Sequence, residues 1–289
     1  MSRIVVVGDV MVDIVVRLSE PLARGSDAPA TIRFHGGGSA ANTAAWLAAA
    51  GAESVLVGTV GDDERGREAR AGLVTHGVKT RLAVDPELPT GTCLVLVGPD
   101  GERTMAPDAG ANDALDERDL ADELLADGDH LHVSGYSLLR SGSRDASRAA
   151  IARASDAGMT VSVDPSSSAL LSPDFLDWAG GAGLLLPNAS EAHALTGESD
   201  PERAARALAE RFGEVVVTLG PAGALWTDGE AVLRAAAEPV DEVVDSTGAG
   251  DAFAAGLLTA RVAGMSTAEA LAAGCRLAAR AVSQPGARP

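Results

Sequence analysis

Lysine is almost missing from this chain: Lys79 is the only one in 289 residues, and no Gly-Lys-Ser/Thr occurs. That excludes the P-loop, which needs its lysine on the nucleotide phosphates. Schiff-base chemistry would rest on Lys79 alone, in the polar stretch Gly77-Val-Lys-Thr-Arg81, which reads as a solvated turn. Cysteine is scarce as well. Cys93 and Cys275 lie far apart without a C-x-x-C spacing, so neither a disulfide framework nor a structural zinc site is expected. No apolar run approaches the roughly 18 residues of a membrane span. The opening Met1-Ser-Arg leads straight into Ile4-Val-Val-Val, with no signal-peptide h-region. The expectation is a cytoplasmic protein with no membrane partner. Runs of positive charge are also lacking, and the net charge is −18, so a nucleic-acid partner is not expected. A small phosphorylated ligand remains compatible with that charge, provided backbone N–H groups, a helix N-terminus and a divalent cation supply local donors.

What is present is a 46% hydrophobic, glycine-rich globular composition. Short β-branched runs alternate with alanine-rich segments of helical period, the pattern of an α/β protein with a mostly parallel sheet. Strands are predicted at 3–8, 54–58, 130–134, 159–163, 183–187, 214–219 and 239–244. Helices are predicted at 39–50, 64–75, 117–126, 143–157, 190–196, 201–211, 250–263 and 267–282. Residues 12–35 and 88–106 break the alternation and read as inserted strands, either a lid over a site or merely peripheral. One main domain over 1–289 is expected, because nothing resembles a linker.

The sharpest chemical signal is Asp245-Ser-Thr-Gly-Ala-Gly-Asp-Ala-Phe-Ala-Ala-Gly256, which opens a helix. Gly248 and Gly250 permit a tight turn in which the N–H groups of Gly248, Ala249 and Gly250 converge as an anion hole. Asp251 sits beside it, where a carboxylate can take a proton from an attacking hydroxyl. A Gly-x-Gly-Asp by itself is more simply a helix start with an acid on the dipole.

The full string resembles the signature of the ribokinase-like (PfkB) carbohydrate kinase family, and other motifs of that family follow in order along the chain. These are Gly8-Asp-Val-Met-Val-Asp13, Gly36-Gly-Gly-Ser-Ala-Ala-Asn42, Pro187-Asn-Ala-Ser-Glu191 and Val217-Thr-Leu-Gly-Pro-Ala-Gly-Ala224. At Ser39 many ribokinases have lysine, which leaves the sugar open.

The resemblance implies an open, mostly parallel central sheet flanked by helices, with a small β-sheet lid. It implies ATP-dependent phosphorylation of a sugar hydroxyl with Asp251 as general base. The acceptor would be held by Asp13, Gly37, Gly38 and Asn42, and ATP by Asn188, Thr218, Gly220 and Gly223. Mg²⁺ would be organised through water by Glu191 and Asn188, and a monovalent cation such as K⁺ by Asp245 and Thr247. In the family the lid sometimes provides a homodimer contact. Arg103 lies on the strand feeding the lid and reads either as a substrate contact or, more simply, as a solvated arginine. A nucleoside acceptor is the alternative; with eight aromatic residues in the chain, its base would have to stack on one of few rings, Phe34 and Tyr136 among them. A non-catalytic sugar- or nucleotide-binding regulator is the other.

Overall fold

The computed structural model describes residues 2–22, 25–126 and 130–289. Among these residues thirteen strands form two sheets. They are β1 (Arg3–Val7), β2 (Met11–Leu18), β3 (Ala30–Gly37), β4 (Glu53–Gly61), β5 (Lys79–Asp85), β6 (Gly91–Val97), β7 (Arg103–Asp108), β8 (His130–Ser134), β9 (Thr160–Asp164), β10 (Leu184–Leu185), β11 (Glu214–Thr218), β12 (Ala224–Thr227) and β13 (Val232–Ala235). The helices are α1 (Ser39–Ala49), α2 (Glu64–Thr75), α3 (Asp122–Ala126), α4 (Gly135–Leu139), α5 (Arg144–Asp156), α6 (Phe175–Trp178), α7 (Ala189–Thr196), α8 (Pro201–Phe212), α9 (Ala249–Val262) and α10 (Thr267–Val282). Among the described residues no helix is long and apolar enough to cross a membrane.

The large sheet has the order β13-β12-β11-β10-β9-β8-β1-β4-β5, parallel from β11 to β5 and closed at one end by the antiparallel pair β12 and β13. Alternation along β1 explains why helices cover both faces: Ile4 and Val6 join one core cluster, with α1, α9 and α10, while Val5 and Val7 join the other, with α5 and α8. From β1 the chain passes to β4 on one side and later returns as β8 on the other. Such a switch leaves a crevice at the carboxyl ends of the strands, where open α/β sheets bind ligands.

The small sheet, ordered β3-β2-β6-β7, is built from the two segments that broke the α/β pattern. The expected segments 12–35 and 88–106 shift to 11–37 and 91–108, and residues 23 and 24 lie outside the described residues. Three other expectations are corrected. Residues 239–244 form no strand: Pro239 and two acids interrupt the run, and Val243 and Val244 are exposed. The stretch at Lys79 is the start of β5 at the edge of the large sheet, where a mixed polar strand is tolerated and Lys79 pairs with Glu53. The helix expected over 117–126 divides into a 3₁₀ turn at Glu117–Asp119 and α3.

Candidate active site

Asp251 lies in the first turn of α9 and lines a cavity of about 700 Å³ at the crevice. Its carboxylate is fixed on two sides: Oδ1 accepts from Ser39 Oγ at 2.8 Å and Oδ2 from Asn42 Nδ2 at 3.0 Å. Burial pushes its pKa up to about 7, against the lowering effect of those two hydrogen bonds, with Asp9 raising and Arg288 lowering it further. A carboxyl poised near neutrality is a better proton acceptor than an ordinary aspartate.

The turn before it bends at Gly248 alone, since Gly250 already lies within α9 and has no positive φ. Gly248 is left-handed at φ 77°, and a Cβ there would meet Ala287 O at 2.6 Å, so only glycine fits. The N–H of Ala249 makes only a long 3.4 Å bond to Ser246 O. A Cβ on Gly250 would meet nothing within 4 Å, so its backbone is approachable from the cavity. The three amides stand at the positive end of a helix of 14 residues.

On the opposite wall, Asp13 comes from β2 and also lines the cavity. Burial raises its carboxyl to about 6, with Arg288 opposing and Asp9 adding to the shift. Every small-sheet residue that lines this cavity or its neighbour is odd-numbered: Met11 to Arg17, Thr31 to His35, Cys93 to Val97 and Arg103 to Pro107. Cross-strand pairs such as Asp13 with His35 and Cys93 explain the pattern, because directly opposed residues share a face. Phe34 is even-numbered, pairs with Ile14 and faces away, 62% exposed. Of the two rings proposed for stacking a base, only Tyr136 lines the cavity.

Gly37 and Gly38 act through the chain itself. A Cβ on Gly37 would lie 2.2 Å from Asp13 Oδ1, and one on Gly38, at φ 91°, 2.5 Å from Asp9 O. They make room for the carboxylate and the entry to α1. Asn42 joins two groups of the site, since its Oδ1 accepts from Arg288 Nε at 3.1 Å while its Nδ2 serves Asp251. Gly220 is open to the cavity at φ 57°, but Gly223 is not among its lining residues: a Cβ there would lie 2.0 Å from Ala235 O, so the glycine serves the packing of β13.

Asn188 and Glu191 form a capping box on α7: Glu191 N donates to Asn188 Oδ1 at 2.9 Å and Asn188 N to Glu191 Oε2 at 2.8 Å. Both line the cavity beside Thr218. Burial raises the carboxyl of Glu191, against the hydrogen bonds from Asn188. Burial also raises that of Asp164, with Glu191 and Asp251 adding to the shift.

Three functional positions were not read from the sequence. Asp9 accepts from Ser39 N at 2.9 Å, Ala40 N at 3.2 Å and Ser134 Oγ at 2.9 Å, tying α1 to the switch between β1 and β8. Asp164 ends β9, and its place at the carboxyl end of a parallel strand was a usable signal. Arg288, whose Nη2 donates to Gly37 O at 2.7 Å, carries no local signal at all. Burial lowers its pKa to about 10, with Asp13, Asp251 and Asp9 holding it up.

Arg103 is not a free solvated arginine. Its Nη2 donates to Asp245 Oδ1 at 2.7 Å and its Nη1 to Thr247 Oγ1. The same carboxylate accepts from Thr247 N at 2.8 Å through Oδ1 and Gly286 N at 3.2 Å through Oδ2. Burial raises Asp245, but these bonds from Thr247, Arg103 and Gly286 outweigh it and hold the carboxyl below the ordinary range. The monovalent cation expected at Asp245 and Thr247 therefore meets a guanidinium in its place, and the residues present do not fit a resident K⁺.

A carboxylate beside backbone amides at a helix N-terminus, lining an open cavity, can take a proton next to a bound anion. The model of the pfkB family carbohydrate kinases matches residues 1–289. The chain belongs to that family. This member is 33% identical over 262 residues to an ATP-dependent ribose-1-phosphate kinase of Halopiger xanaduensis, covering 89% of this chain and 84% of the relative. It is similar in structure to adenosine kinase from Sinorhizobium meliloti, with TM-score 0.91 and 28% identity over 100% of this chain and 96% of that one. A ribokinase II-type protein from E. coli, solved with ATP and Mg²⁺, superposes with TM-score 0.88 and 25% identity over 99% of this chain and 94% of that one. This pfkB-family protein is thus a phosphotransferase of the sugar-kinase type with a ribokinase-like fold.

Proposed function

We propose that this chain transfers the γ-phosphoryl group of ATP to a hydroxyl of a small sugar, and that Asp251 takes the hydroxyl proton. The observation that supports it best is the carboxylate pinned by Ser39 and Asn42 beside the Gly248–Gly250 turn and open to a cavity. The acceptor lies against Asp13 on the small sheet, which acts as a lid, so that one hydroxyl points at Asp251. ATP lies along Asn188, Thr218 and Gly220, with its transferring group at the helix N-terminus. The amides of Gly248, Ala249 and Gly250 then stabilise charge that grows as the bond to the leaving oxygen breaks. Mg²⁺ entering with ATP supplies charge neutralisation on the phosphates, and Glu191 and Asn188 are the oxygen donors to hold its waters.

The sign of the pH dependence follows from Asp251. Below about 7 the base is protonated and unavailable, so kcat/KM should rise with pH through about 7 and level off above it. A profile flat from pH 5 to pH 9, measured with saturating MgATP, would contradict the assignment.

Arg103 carries a second expectation. With a guanidinium already on Asp245, the initial rate should be the same in potassium, sodium and choline chloride at constant ionic strength. A requirement for K⁺ would mean that Arg103 leaves the carboxylate during turnover.

A nucleoside acceptor is the second reading, favoured by the likeness to an adenosine kinase and by Tyr136 in the cavity. ADP release measured with ribose, fructose, ketodeoxygluconate, adenosine and pseudouridine separates the two. Absence of ADP with every acceptor would favour a binding protein on a kinase scaffold.

A further inference from the structure

A second cavity of about 530 Å³ adjoins the first, sharing Asp13, Val95, Met105 and Thr247 with it. Arg17, Arg33, His35 and Arg103 line it. In a chain of net charge −18, three arginines on one cavity are an unusual gathering. Arg103 is committed to Asp245, but among the described residues the side chains of Arg17 and Arg33 make no hydrogen bond and no ion pair. The two acids in the lining do not cancel them, since Asp245 is already paired and Asp13 faces Arg288.

We propose that the acceptor carries an anionic substituent, a phosphate or a carboxylate, which Arg17 and Arg33 hold while Asp13 and Asp251 address the rest of the sugar. This rests on the kinase reading above and narrows its substrate class. Register places the residues: Arg33 lies opposite Val15, and Arg17 opposite Thr31, on the face that also carries Asp13. Alternate residues on a strand face are about 6.8 Å apart, so Arg33 stands one such step along the sheet from the acceptor hydroxyls. That step matches a five- or six-carbon sugar reaching from a bound hydroxyl to a charged group at its far end. Two guanidinium forks facing one recess suit the paired oxygens of phosphate or carboxylate, which a neutral polyol lacks.

The test pairs acceptors that differ by one phosphate group. D-ribose is compared with ribose 1-phosphate and ribose 5-phosphate, and fructose with fructose 1-phosphate and fructose 6-phosphate; ketodeoxygluconate serves as the carboxylate arm. At least one anionic acceptor should exceed its neutral parent in kcat/KM by about 10–100-fold, the worth of hydrogen bonds to a charged group. In the double variant Arg17→Gln/Arg33→Gln that ratio should collapse toward one, chiefly through KM. Calorimetric binding of the same sugar phosphates should weaken about 10-fold or more in the variant. Neutral sugars used as well as or better than charged ones would overturn the proposal, as would equal calorimetric affinity for the two proteins. Should no acceptor of either kind release ADP, the kinase reading fails, and calorimetry still decides whether these arginines bind the anion.

Discussion

Asp251→Asn is expected to give a folded protein whose kcat is lower by about 10²–10⁴, the usual share of a general base. The substitution suits its surroundings. An amide at position 251 can present its oxygen to Asn42 Nδ2, and its nitrogen can donate to Ser39 Oγ, whose hydroxyl turns to accept. Helix α9 and the cavity are then retained, and what is lost is the proton acceptor. Turnover should be followed by ADP release with the best acceptor of the panel, and folding by circular dichroism and thermal melting. A variant that melts normally and turns over near the parental rate would leave Asp251 without its role and would require another base among the cavity carboxylates.

Gly248→Ala should be damaging for a different reason, with kcat reduced by about 10²–10³, as when one donor of an anion hole is lost. At φ 77° an alanine is strained, and its Cβ would collide with the backbone of Ala287. The turn must open, and the amides of residues 248–250 then no longer converge. Gly250→Ala separates strain from chemistry, since its Cβ position is empty and alanine is the better helix former. The thermal melt should fall in the first variant and hold or rise in the second. A Gly248→Ala protein with undiminished kcat would show that the turn does not stabilise the transferring group.

Much of this could be read in the sequence, because the features concerned are local. The glycine turn, Asp251 and the capping box of Asn188 and Glu191 are contiguous strings whose backbone geometry their own residues dictate. The α/β pattern was legible for the same reason: buried parallel strands are apolar runs. What was missed depends on partners distant in sequence. Arg288 reaches Gly37 and Asn42 across about 250 residues, Arg103 reaches Asp245 across 142, and neither neighbourhood hints at the contact. Asp9 and Asp13 share one short string and both line the cavity, and only the structure shows that the first also braces α1. The strand expected at 239–244 failed because β-branched residues there meet no sheet; β12 and β13 take the edge.

The alternation within the small sheet has a wider bearing. In β2, β3, β6 and β7 the residues that line the cavities are at odd positions and the opposite face carries the even ones, among which Ile32, Phe34 and Leu94 are exposed. A slip of a single residue in the pairing would reverse that parity, turning Asp13 and Arg33 away from the cavities and Phe34 and Ile32 into the second one. Inserting or deleting one residue within these strands is therefore a change of chemistry at the acceptor end, even where every hydrogen bond of the sheet could be remade.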